Sequence, residues 1–255
     1  MLNECSSSAY GSDMSETNGM LPPPPPSSWS AEQFVRKETL SPALSVWLQV
    51  VLYLAAAFSA LCGIGLFRTA SAAERFFDFD SYQNLDDWVA AEDMYSAFLG
   101  LLYLVSIAAF VLLIVFLFRS HKACTTIWNG PRKWSRGWTV GAWFIPIANA
   151  IITPMVWVET DRIATAGRSD GRVAEDWRQR PVNKMIVVWW VLYAVGYLGL
   201  LVGIGVMGSE ESGYSDYTSS ARLAAVAAFL MGASLILAAL SVRRIGHALS
   251  PTAIG

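Results

Sequence analysis

The chain has 255 residues, of which 54% are hydrophobic and 15% charged, with a formal net charge of -2 and a mean hydropathy of +0.41. Soluble domains carry about 25% charged residues, so this composition excludes an ordinary soluble domain and predicts a chain dissolved in lipid. The near-neutral charge gives no reason to expect nucleic acid as a partner.

Residues 1–42 differ in kind from the rest. They are rich in Ser, Asn, Gly and Glu and reach the run Pro22, Pro23, Pro24, Pro25, Pro26. Consecutive prolines have fixed φ and no amide donors, which favours an extended polyproline II rod. The segment predicts a disordered cytoplasmic tail that acts as a spacer. The first apolar run starts about forty residues in, so no cleavable signal peptide is expected.

Four segments meet the length of about 20 apolar residues that a spanning helix needs: residues 43–67, 95–118, 185–208 and 223–242, none with an Asp, Glu, Lys or Arg. Together with a short tail at 250–255 they define a polytopic membrane domain over 43–249. A fifth apolar run, 138–158, is less regular, because Pro146 and Pro154 interrupt it and Gly141 and Asn149 lie inside it. Loop charge decides how it sits. The loop Arg68–Met94 holds two basic and seven acidic residues. By contrast, Arg119–Gly137 holds five basic residues and Glu159–Lys184 six, and Arg243-Arg244 follow the last span. Lys and Arg in short loops mark the cytoplasmic side. With basic loops on both sides of 138–158, the rule is obeyed everywhere only if that run dips in and returns, or lies at the interface. The alternative is a fifth span. The expected fold is therefore all-α: four transmembrane helices plus a proline-broken re-entrant or interfacial segment, both termini cytoplasmic, in the plasma membrane.

The acidic loop is expected to be a solvated connection, with Leu85-Asp86-Asp87-Trp88 leading into the second span. The indoles of Trp128, Trp134, Trp138, Trp143, Trp189 and Trp190 suit the headgroup layer, so anchoring is their expected role. Small residues let helix backbones approach in lipid. Gly199 and Gly203 in the third span, Ala55, Ser59 and Gly63 in the first, and Ala224, Ala228 and Gly232 in the fourth predict internal packing, with a dimer face as the alternative.

Chemical motifs are sparse. Gly203-Ile204-Gly205-Val206-Met207-Gly208 matches GxGxxG but sits inside an apolar span, where no pyrophosphate is solvated. Cys5, Cys62 and Cys124 fall in separate settings and predict free thiols. His121 and Cys124 lie three apart among basic residues, too few ligands for a metal. No HExxH, GxSxG or P-loop occurs, so no cofactor and no catalytic residue is expected. The most distinctive string runs from Gly137 to Asn149. Pro146 should free a carbonyl one turn back, and Asn149 is placed to satisfy an orphaned backbone group. Trp138, Gly141, Trp143, Pro146, Asn149 and Pro154 are thus the candidate structural or pocket residues, as a plug or as a gate.

That string, W-x-V-G-x-W-F-x-P-x-A-N-x(4)-P, carried here by Trp138, Val140, Gly141, Trp143, Phe144, Pro146, Ala148, Asn149 and Pro154 and followed by the Trp189-Trp190 pair, resembles the signature of an uncharacterised domain-of-unknown-function membrane family common in actinobacteria. Its members share a Pro-rich N-terminal tail and a basic stretch after the second span. This chain departs in that stretch, where an Asn is frequent near Ala123. The resemblance implies a membrane location and no established activity. The expected function is a non-enzymatic scaffold or interaction module, partnered by a membrane protein or a second copy and by the bilayer, with anionic lipid headgroups on the basic loops. The alternative is a small-solute or ion channel or permease gated by 138–158.

Overall fold

A computed structural model describes residues 40–79, 81–128, 130–166, 175–209 and 213–250. The predicted tail, with Cys5 and the proline run, lies outside the described residues except for its last three positions, and so does the C-terminal tail except Ser250. The described residues form α1 (Pro42–Phe79), α2 (Tyr82–Ile127), the short α3 (Trp138–Gly141), α4 (Pro146–Ala166), α5 (Lys184–Met207) and α6 (Tyr214–Ala248), with single 3-10 turns at Ala142–Phe144 and Glu175–Gln179 and no strand among them. The helices α1, α2, α5 and α6 are long and apolar enough to cross a membrane. The helix α4, which carries Glu159, Asp161 and Arg162, is not one of these.

Two of the helices run well past their apolar spans. Most of the expected loop Arg68–Met94 is helical, since α1 continues to Phe79 and α2 starts at Tyr82, capped by the Ser81 hydroxyl accepting from the Asn84 N–H. Hydropathy marks where lipid lies, not where helix ends. The extensions are held by contacts distant in sequence. The Trp88 indole N–H donates to the Tyr217 hydroxyl, which donates to Glu92, and Arg222 pairs with Glu74.

Helix α6 lies between α1 and α5, and α1 lies between α6 and α2. Small residues make these contacts, because in lipid only close packing and polar contacts drive association. The Ser59 hydroxyl donates to the Ala228 carbonyl at 2.7 Å. A Cβ at Gly63 would stand 3.1 Å from the Ala225 carbonyl, and one at Gly232 3.3 Å from that of Ala56. Gly196, Gly199 and Gly203 of α5 all face α6. The three stripes are therefore consumed inside the bundle. The helices α2 and α5 share no extensive backbone contact, and a gap lies between them.

Residues 130–166 enter that gap from one end. Trp143 meets Phe110 of α2, with ring centroids 5.5 Å apart, while farther along α4 the Thr160 carbonyl accepts from the Cys124 thiol of α2. Phe110 and Cys124 are fourteen residues apart, so the segment reaches about 21 Å along α2 at 1.5 Å per residue. Its two flanks meet at one end of the bundle: Arg178, after α4, donates to the Pro131 carbonyl, before α3. The insert thus goes deep between the helices and comes back, instead of lying across their ends.

Candidate functional site

The insert is shaped by its prolines, though not as the sequence predicts. Pro146 does not break a helix but opens α4, at the first helical position, where its missing N–H has no partner to lose. The break is one residue earlier. Ile145 is extended (φ -109°, ψ 112°), as the residue before a proline tends to be. Among the described residues the Asn149 side chain makes no hydrogen bond to a backbone group. Its Oδ1 is buried without a hydrogen-bond partner among the described residues. Pro154 is the proline inside the helix. Lacking an N–H, it leaves the carbonyl of Ala150, four residues back, without its helical donor. The Trp190 indole N–H of α5 takes that place at 3.2 Å.

This pairing gives a test by double-mutant cycle. Trp190→Phe is expected to lower stability by about 1–2 kcal/mol, because the Ala150 carbonyl loses its donor. In a Pro154→Ala background, where residue 154 supplies its own N–H, the same change is expected to cost less than half as much. Thermal unfolding of the four proteins in one detergent measures it. Equal losses in both backgrounds would show that Trp190 does not serve Ala150.

The tryptophans form a connected set more than an interfacial belt. Trp157, fully buried, stacks on Phe116 at 5.7 Å and meets Trp189 edge-on at 5.1 Å. Trp189 touches Trp190, Trp190 touches Trp143 and Tyr193, and Tyr193 stacks on Tyr197. Trp157 was not singled out in the sequence, where a lone Trp in a polar-flanked run carries no periodic signal. Trp138 stands apart from this set, edge-on to Trp134, and Gly141 has open space around it.

Above the insert the gap stays open as a cleft of about 290 Å³. Tyr103, Ser106 and Phe110 of α2 form one wall and Trp190, Tyr193 and Tyr197 of α5 the other. Leu52, Met231 and Leu235 lie behind, and Trp143, at the tip of the insert, closes the bottom. Of the candidate pocket residues, only Trp143 lines this cleft. Its Nε1 is buried with no acceptor among the described residues. Gly199 and Gly203 sit at the α5–α6 contact.

A polar group that the sequence left in a loop is buried beside the insert. Asp161 receives the Arg244 Nε–H at 2.9 Å. Burial pushes its carboxyl above the usual range, and Arg244 and Asn183 draw it only part of the way back. Burial likewise raises Glu159, against the pull of the Trp134 and Lys133 backbone N–H groups and of Arg132 and Arg178. Arg132 donates to the carbonyls of His121 and Trp128 and so ties the loop after α2 to the end of that helix. Asp161 thus has a cation of its own, whereas the Glu159 Oε1 is buried with no hydrogen-bond partner among the described residues. Among the described residues no group of three or more His, Cys, Asp or Glu is placed to hold a metal ion.

The family described as "Domain of unknown function (DUF4328)" matches residues 81–247, from the start of α2 to the end of α6. The chain belongs to the DUF4328 family. No curated protein and no solved structure matches it. The DUF4328 match covers the insert, the cleft walls and the Asp161–Arg244 pair, while α1, which closes the back of the cleft with Leu52, precedes it.

Proposed function

We propose that this protein is a non-enzymatic interaction module of the plasma membrane that receives apolar side chains of a partner protein's spanning helix in the cleft between α2 and α5. One observation carries the reading: the cleft is walled by two helices that share no extensive backbone contact, and its lining is apolar apart from Ser106 and aromatic N–H and O–H groups. A whole helix, about 10 Å across, does not enter 290 Å³, but side chains projecting from one do. The Trp143 indole N–H at the bottom offers a directional contact to such a guest. No nucleophile–base pair accompanies it. Arg119, Arg132, Lys133, Arg136, Arg243 and Arg244 all belong to the insert end, which supports placing that end, and both termini, in the cytoplasm.

The channel reading draws on Trp143 closing the cleft from the insert. Against it, the four apolar spans hold no charged residue, and such residues mark ion and proton pathways. A photo-reactive benzophenone side chain at Tyr103, on the cleft wall, is expected to join the chain covalently to a second polypeptide in native membranes. The same group at Leu223, on α6 away from the cleft, is expected not to, and Ser106→Phe should abolish the Tyr103 adduct. Adducts to lipid alone, or flux of ions or small solutes through reconstituted vesicles, would refute the interaction reading.

A further inference from the structure

A second site lies at the insert end and shares no lining residue with the cleft. His121, Thr125 and Trp128 from the end of α2 and Arg132, Trp134 and Arg136 from the loop that follows line an open bowl of about 400 Å³, with Lys133 on its rim. Arg132, Lys133 and Arg136 are basic, and no acidic side chain lines the bowl. Its frame is fixed. The Arg132 guanidinium spans the His121 and Trp128 carbonyls, at 2.6 and 3.0 Å. The Trp128 ring lies so close over Gly130 that a Cβ there would fall 2.4 Å from it. Lys133 sits over the Trp134 ring at 5.4 Å. Behind the bowl's wall the rings of His121, 2% exposed, and Trp128 hold their Nε2 and Nε1 atoms buried.

We propose that this bowl binds a phosphate group. Phosphate oxygens suit the fork of an arginine and the point charge of a lysine, and Arg132, Lys133 and Arg136 bring three such groups to one bowl. His121 lies three residues past Phe118, the end of the apolar span, which is about 4.5 Å along the helix. That is the depth of lipid headgroups, where indoles such as Trp128 and Trp134 also settle. The bowl therefore faces the phosphates of an anionic leaflet, and a soluble phosphate of the cytoplasm offers the same chemistry.

The full chain is released for native mass spectrometry from phosphatidylcholine vesicles with phosphatidylglycerol as the minor component. In parallel, its thermal midpoint in uncharged detergent is followed against inorganic phosphate. Lys133→Glu/Arg136→Glu changes two exposed residues whose side chains make no hydrogen bond or ion pair among the described residues, and the variant's own thermal midpoint checks that the loop keeps its fold without the Lys133–Trp134 contact. Arg119→Glu/Arg243→Glu makes the same charge change at exposed positions outside the bowl. Retained phosphatidylglycerol in excess of its share is expected for the native chain and the outside variant, and a loss of about tenfold or more for the bowl variant. If instead inorganic phosphate raises the midpoint of the native chain and not of the bowl variant, the phosphate is a soluble one and the site stands. Equal retention by the native chain and the bowl variant without a phosphate effect, or equal loss in both variants, overturns the proposal.

Discussion

Gly203→Leu is expected to force α5 away from α6 and to leave little folded protein after extraction, and Gly203→Ala to lower the thermal midpoint clearly. A Cβ at Gly203 would stand 2.7 Å from the Ala224 Cβ, 2.8 Å from the Ser220 carbonyl oxygen and 2.9 Å from the Ala224 nitrogen. Two of these three are backbone atoms, which cannot rotate aside, so the helices must part. Overpacking by one methyl costs about 1–3 kcal/mol, and an isobutyl group more. In lipid the loss is not recovered elsewhere, because close backbone approach is itself what holds the helices together. Gly205, two residues on, has nothing within 4 Å of its would-be Cβ, so Gly205→Ala is expected to stay within about 0.5 kcal/mol of the native chain. Gly199→Ala should fall between, since its obstruction is the Ala227 methyl alone, at 2.9 Å. Size-exclusion profiles after graded heating rank the three. Gly203→Ala behaving like Gly205→Ala would contradict the packing.

The same glycines show how far the sequence is legible. A charge-free run of about 20 apolar residues has one stable solution in lipid, a closed helix, so all four spans can be read without coordinates. Small residues at four-residue spacing likewise announce a close face, and here α6 presents such faces to both α1 and α5. Hydropathy loses its hold where lipid ends. The helical extension to Phe79 and from Tyr82 rests on Trp88, Glu92 and Tyr217 meeting across 125 to 129 residues of chain. Periodicity cannot see such contacts. Pro146 and Pro154 look alike in sequence, yet one starts α4 and the other interrupts it, and only the Trp190 indole, forty residues away, reveals which carbonyl was left over. Glu159 and Asp161 read as loop polarity because the cations they need lie elsewhere in the chain.

Arg244→Ala is expected to destabilise the protein by about 2 kcal/mol at neutral pH, between the ~3–5 kcal/mol of a fully buried pair broken on one side and the ~0–1 kcal/mol of an exposed one. The intermediate size follows from the geometry: the Asp161 side chain is 4% exposed and that of Arg244 49%, so water reaches the cation but not the carboxylate it leaves behind. The deficit should depend on pH, with a definite sign. Burial already lifts the Asp161 carboxyl, and Arg244 is the largest influence holding it down; without the arginine it rises further. An acid whose folded pKa lies above its unfolded value of about 4 makes the folded state the better proton binder, so stability falls as pH rises between the two values. The Arg244→Ala deficit is therefore expected to be largest at neutral pH and above and to shrink as the pH falls toward 4. Asp161→Asn in the Arg244→Ala background, which removes the stranded charge, is expected to restore part of the stability at neutral pH and to flatten this dependence. Arg222→Ala at the opposite end, where the side chains of the Arg222–Glu74 pair are 50% and 32% exposed, should lose at most about 1 kcal/mol. Thermal midpoints of the native chain and the three variants across pH decide the matter, and an Arg244→Ala deficit that is the same near pH 4 as at pH 7 would mean that Asp161 is not the group the arginine neutralises.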